Sequence, residues 1–390
     1  MADQDDIFAN SSDADAVAAP QGFGERLGGS FVAILFGIVL VPLACFGLFW
    51  NEGHAVHVAK ALAELGTVVR SIPTDRRDPA LDGKPVHIAG TVTSAAGVAD
   101  TQVGLHVPGI HLDRQVEMYQ WRESESGSGQ DRKYTYRREW SAHPIASDRF
   151  HAPSGHQNPS FPAIRSRHLG AADARIDAVP VGAQAAQMLV ADEPVAADAA
   201  GAAALARATG RPAIVDGGAY FVGRDAAEPK VGDLKILYHR APERPASFIG
   251  RQEGTGLTPF RTTNGEEILL AEPGTLSAEA LIARGHEDNR VMTWILRIAG
   301  MVVLLIGFGL FFAPVNLLAS LVPLLGSVVA GATFLIALAA TLLVGPTVIA
   351  LAWLAYRPLL ALGIIAAALL VAGGLFALRR RRTMPLLAPA

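Results

Sequence analysis

Residues 326–355 read GSVVAGATFLIALAATLLVGPTVIALAWLA, a run without a single charge. At 1.5 Å per residue, about 20 residues cross a hydrocarbon core of roughly 30 Å. The run therefore spans a bilayer, with Gly345-Pro346 marking a kink inside it. Working outward, residues 294–312 and 359–378 form two more apolar spans. Between the first two of these spans, residues 314–325 are apolar but broken by Pro314, Asn316 and Pro323, which predicts an interfacial segment. After Asp288 the chain contains no Asp, Glu, Lys or His, and Arg379-Arg380-Arg381-Arg382 follows the last span. Arg297 and Arg357 lie near span ends, where they can snorkel. Side-chain acid–base or metal chemistry is thus expected before Asp288.

A further apolar run, Phe31 to Trp50, lies near the amino terminus. It is long for a signal-peptide core, follows an acidic segment and precedes Phe49-Trp50-Asn51-Glu52 rather than a small-x-small site, so it reads as an uncleaved anchor. Phe49 and Trp50 suit an interfacial aromatic belt. The expected organisation is an unstructured acidic cytoplasmic tail (1–27), a first span (28–50), an extracytoplasmic domain (51–293), a three-helix membrane bundle (294–378) and a basic cytoplasmic tail (379–390). Four spans place both termini on one side, and the arginine cluster assigns that side to the cytoplasm by the positive-inside rule. The excess of Arg over Lys and the abundance of Ala point to a GC-rich bacterial genome, hence the inner membrane.

Cys45 is the only cysteine and falls inside the first span, which excludes an intrachain disulfide and cysteine-based zinc sites. A formal net charge of −3 gives no reason to expect nucleic acid. The outer segment predicts a β-rich α+β fold. Residues 54–69 can continue the first span as an amphipathic helix. Residues 85–94 alternate like a strand, and 115–122 with 133–140 predict a hairpin across a long polar loop, 123–131. Residues 144–168 read as ordered loop and 183–208 as two helical pieces. Short strands are expected at 217–222, 232–238, 246–252 and 266–271, separated by Gly and Pro turns.

All eleven histidines lie in this outer segment. His156, within Gly155-His156-Gln157-Asn158-Pro159-Ser160, is a candidate general base, although Gly and Asn-Pro are equally turn chemistry. Glu117, which could approach Glu139 across the hairpin, is the second candidate; Arg114, Arg137 and Arg138 are available to pair with these carboxylates. His54 and His57 share a helix face but lack the further ligands of a metal site, so no metal or cofactor is expected. No G-x-S-x-G, P-loop or dinucleotide fingerprint occurs. In the bundle, Gly326-x-x-x-Ala330 and Ser327-x-x-x-Gly331 offer small-residue faces, expected to pack within the bundle and leaving self-association open.

Six segments, taken in order, resemble the transmembrane protein 43 (LUMA) family. They are Phe49-Trp50-Asn51-Glu52-Gly53; Val116-Glu117-Met118-Tyr119-Gln120-Trp121; Tyr134-x-Tyr136-x-x-Glu139-Trp140; Gly155-His156-x-Asn158-Pro159-Ser160; Val231-Gly232-Asp233-Leu234; and Tyr356-Arg357-Pro358-Leu359. The resemblance implies one span, a large lumenal domain and three further spans. In animals the family is associated with the endoplasmic reticulum and inner nuclear membrane, where it binds membrane partners and helps organise the membrane; it supplies no established catalytic residues. The expected function is a non-enzymatic scaffold whose partners are membrane lipids and other membrane or envelope proteins. The alternative is an enzyme acting on lipid or envelope substrates through the outer domain. A channel or transporter fits least, because the last three spans carry no acid, Lys or His to form a pathway.

Overall fold

The computed structural model describes residues 15–18, 23–126 and 133–382. Its helices are α1 (Phe23–Val68), α2 (Gly182–Ala186), α3 (Ala199–Thr209), α4 (Ala278–Phe311), α5 (Ala313–Ala319), α6 (Pro323–Tyr356) and α7 (Pro358–Arg382). Two compact units emerge. A β-rich unit holds residues 61–285 and the strand Asp15–Ala18; a helical unit holds residues 23–60 and the chain from 286 onward.

The β-rich unit is built on two largely antiparallel sheets. In the first, the strand His111–Ser126 is central, with Lys133–Ser141 on one side and Leu234–Ala241 on the other. In the second, Pro85–Thr93 pairs with Arg244–Glu253. The alternation that predicted these strands also builds the core. Leu112, Val116 and Met118 point inward with Ile236 and Tyr238 of the first sheet, and Val86, Ile88, Val92 and Phe248 of the second join the same apolar cluster. α2 and α3 supply Ala185, Ala186, Ala202 and Leu205 to it. α3 starts at Asp198, whose carboxylate accepts from the Gly201 amide at 2.7 Å, and stops at Gly210 in the left-handed region.

One expectation is corrected in this unit. The polar stretch 123–131 is not all loop: the strands continue to Ser126 and resume at Lys133, so that Glu123 faces Tyr136 and Glu125 faces Tyr134 in register. Polar residues extend a ladder readily when cross-strand partners satisfy them. Residues 127–132 lie outside the described residues. Within the tail 1–27, expected to be unstructured, four residues stand as a strand. Asp15–Ala18 pairs antiparallel with Lys133–Tyr136, using the open edge of that strand, and α1 begins at Phe23.

In the helical unit α1, α4 and α6 are each long and apolar enough to cross a membrane, and α7 carries a shorter apolar run, Pro358–Gly374. Outward side chains such as Phe36 (65% exposed) and Leu343 (71% exposed) are apolar, which is stable only against lipid. Ala44 and Leu48 of α1 pack on Leu304 of α4, with Met301 and Val348 against them. Close helix approach also depends on small residues beyond those expected. A Cβ on Gly307 would stand 2.8 Å from Val41 Cγ2, and one on Gly345 would collide with Met301 Sδ. Of the anticipated faces, Gly326 packs closely, since a Cβ there would stand 3.1 Å from Ser320 Cα and 3.5 Å from the Ala319 carbonyl of α5, whereas a Cβ on Gly331 would meet open space. Pro346 sits inside α6, as its sequence position implied.

Candidate functional site

The two candidate residues of the outer segment occupy different places. Glu117 stands opposite Lys235 in the ladder. Burial holds the Lys235 ammonium below its usual range, while the Glu117 charge pulls it back up. Glu117 does not reach Glu139 as a carboxylate pair. Hairpin pairing ends at Met118 opposite Ser141, and Glu139 is instead taken by Arg122 and by Arg137 at 3.1 Å. Nor does Arg114 serve these carboxylates. It points into the core, 1% exposed, donating to Asp100 (2.6 Å), Gln102 (2.7 Å) and the Arg165 carbonyl (2.9 Å), while Tyr238 donates to Asp100 at 2.8 Å. A buried guanidinium needs such complete pairing to offset its lost hydration.

His156 sits in an aromatic stack. Its ring lies on Tyr136 (centroids 3.9 Å apart), with Trp121 edge-on at 4.8 Å, and Nδ1 lies 2.9 Å from the Ala152 carbonyl. The Tyr136 hydroxyl donates to Glu123 at 2.5 Å and accepts from the Ala152 amide at 2.8 Å. Burial, then the bond to Glu123, raises the Tyr136 pKa. Two residues on, Asn158 behaves like a piece of strand. Its Oδ1 accepts from the Trp121 amide (2.7 Å), and its Nδ2 donates to the Trp121 and Ile145 carbonyls (2.9 and 3.2 Å). Pro159 covers Gly232, whose φ of +96° and missing Cβ admit it; Gly232 and Asp233 in turn exchange backbone hydrogen bonds with Tyr119. Four of the six family-like segments thus converge on Tyr119–Trp121.

The other two converge in the helical unit. Glu52, at the end of the first apolar run and 1% exposed, accepts from Arg297 Nε (2.5 Å) and Nη2 (2.8 Å) and from Trp353 Nε1 (2.8 Å). One carboxylate therefore joins α1, α4 and α6. Around it, Asn51 donates to the Thr293 carbonyl (3.1 Å) and Asn289 returns a bond to the Ala55 carbonyl (2.9 Å). Phe49 packs on Tyr356 at 5.3 Å, and a Cβ on Gly53 would stand 2.7 Å from that same ring. Trp50 stacks on His54. Arg297 is therefore committed to a carboxylate rather than snorkelling freely. Among the described residues no three His, Cys, Asp or Glu side chains gather as a metal site.

Reading the sequence missed Glu52 because its partners stand 245 and 301 residues away. The available signal was a carboxylate directly after a span, in a chain whose later spans hold one Arg and Trp near the matching end.

The transmembrane protein 43 family model matches residues 118–358. Transmembrane protein 43 of Homo sapiens is 31% identical over 381 residues, covering 89% of this chain and 90% of the relative. That of Rattus norvegicus is 30% identical, covering 87% and 88%, and a homolog from Drosophila melanogaster is 30% identical, covering 90% and 94%. No solved structure matches the chain significantly. With α1, the β-rich segment and the later apolar helices in the expected order, and the quoted segments meeting in two clusters, the chain belongs to the transmembrane protein 43 family.

Proposed function

We propose that this multi-pass protein is a non-enzymatic scaffold of the bacterial inner membrane, both termini cytoplasmic, that organises lipids and other membrane or envelope proteins around its β-rich domain. The supporting observation is that the polar groups at the centre of each unit bond to one another. Glu52 is taken up by Arg297 and Trp353, and Asn158 by the backbone at Trp121 and Ile145. Such centres hold elements in register. The open face at Gly331 suits packing against another copy or a membrane partner.

The test pairs chemistry with assembly. His156→Phe keeps the ring stack without acid–base capacity, and Glu117→Gln keeps shape without charge. Both variants should retain the cross-linked partners and complement a deletion strain, whereas Gly331→Leu should reduce partner recovery. Folded His156→Phe or Glu117→Gln protein that keeps its partners but fails to complement would replace the scaffold with an enzyme.

A further inference from the structure

Two cavities adjoin the Glu52 centre, and they differ in chemistry. One, of about 600 Å³, is lined by apolar side chains of α4 and α6, among them Ile298, Val302, Leu305, Leu338, Leu342 and Ile349. The other, of about 360 Å³, is lined by His286, Asn289, Arg290, Thr293 and Arg357. Trp294, Arg297 and Trp353 belong to both walls. The pair is thus one amphipathic recess with a cationic end and an apolar end. Each part lies within roughly 300–1,000 Å³, the size of ordinary ligand sites.

At the polar end three guanidinium groups share one neighbouring carboxylate, Glu52. Glu52 takes Nε and Nη2 of Arg297, and leaves Nη1 uncommitted among the described residues. Among those same residues the guanidinium groups of Arg290 and Arg357 form no hydrogen bond, Arg357 feels the Glu52 charge at longer range, and no carboxylate lines this cavity. Trp294 lies under the Arg297 guanidinium at 4.7 Å and Trp353 at 5.9 Å, which holds its planar fork at the junction. A guanidinium fork matches the oxygens of a phosphate.

We propose that this recess binds one anionic phospholipid, its phosphate between Arg290, Arg297 and Arg357 and one acyl chain along the apolar wall of α4 and α6. The proposal names a lipid partner for the scaffold and rests on that reading only for its place in a membrane. The occupant is an amphiphile rather than a free anion because, apart from the shared Arg297 and Trp side chains, the larger cavity is lined by apolar groups. It is anionic rather than zwitterionic because the three guanidinium groups lining the smaller cavity outnumber the one carboxylate, Glu52, that pairs with Arg297 behind them.

The experiment uses the full-length protein in a neutral detergent and measures thermal unfolding against added phosphatidylglycerol, phosphatidylcholine or inorganic phosphate. Phosphatidylglycerol should raise the Tm saturably, with phosphatidylcholine and phosphate giving little. Arg290→Ala/Arg357→Ala, which breaks no hydrogen bond of either guanidinium, should keep the unliganded Tm and weaken phosphatidylglycerol about tenfold or more. Leu342→Trp, which fills the apolar cavity, should weaken it too. Should a variant fail to fold, phospholipid co-purified with wild-type protein, measured by mass spectrometry, carries the same test: enrichment of anionic over zwitterionic lipid relative to the membrane extract supports the site. Equal responses to both lipids, full reproduction by inorganic phosphate, undiminished binding by both variants, or absence of enrichment would overturn it. Partner recovery by cross-linking is a separate readout, so loss of the scaffold reading leaves this result interpretable.

Discussion

Glu52 receives three hydrogen bonds in a place where an unpaired carboxylate would be costly, and those bonds fix three helices at one level. Breaking a buried ion pair by removing one partner typically costs about 3–5 kcal/mol, because the remaining charge is stranded. Glu52→Ala should therefore lower the Tm of the full-length protein strongly. Glu52→Gln, which can still accept from Trp353, should do less harm, and Glu52→Leu/Arg297→Leu should recover part of the loss. A Glu52→Ala protein as stable as the wild type would show that the clamp contributes nothing. The aromatic neighbours are legible one at a time, since Trp50 after an apolar run signals an interface. The clamp itself is not legible, because charge pairing across hundreds of residues leaves no local pattern.

At the scale of elements, the hairpin and its covering loop depend on one amide. Asn158 satisfies both backbone groups of Trp121 that the sheet does not reach. Removing a partner from a buried backbone group costs roughly 1–3 kcal/mol per group. Asn158→Ala should destabilise the full-length protein by at least that much, measured by thermal or denaturant unfolding, while Asn158→Asp, losing only the donated bonds, should sit between. The aromatic side chains follow burial rather than size. Tyr136 is fully buried, so Tyr136→Ala should approach the roughly 3–5 kcal/mol of a deleted core aromatic. Trp121 and Trp140 are only half-buried and should cost less. Equal losses in Tyr136→Ala and Trp140→Ala would contradict this ordering. Strand period predicted the hairpin; its length and its loop cover were set by partners at Glu123 and Asn158.

For the whole molecule, the question is on which side each segment lies. The pairing of Asp15–Ala18 with the 133–141 strand keeps these four residues with the β-rich unit. A span across Phe31–Trp50 places them on the opposite side of the bilayer, so one chain cannot do both. Each Leu, Ile, Phe or Val in the run favours the bilayer centre by about 0.3–0.6 kcal/mol. A four-residue edge pairing has only backbone bonds, each worth ~0.5–1.5 kcal/mol net. The span should prevail in a membrane. Single cysteines at Ala16, Ser126 and Ala390 in a Cys45→Ala background, treated with an impermeant maleimide on intact spheroplasts, should label at Ser126 only. Labelling at both Ala16 and Ser126 would keep the strand and remove the first span; labelling at Ala390 alone would reverse the orientation.

The spans, their order, the β-rich segment between them and the family were all set by the sequence itself. Hydrocarbon length and strand alternation are local periodicities, and the six quoted segments are local patterns. What only the tertiary structure decided is what those segments are for. It brought Phe49–Gly53 to Tyr356, joined Glu52 to Arg297 and Trp353, gathered Tyr119–Trp121 with Asn158 and Gly232, and buried Arg114 beside Asp100. The physical reason is that a polar group chooses its partner by distance in space and by loss of water. Neither quantity is encoded in spacing along the chain.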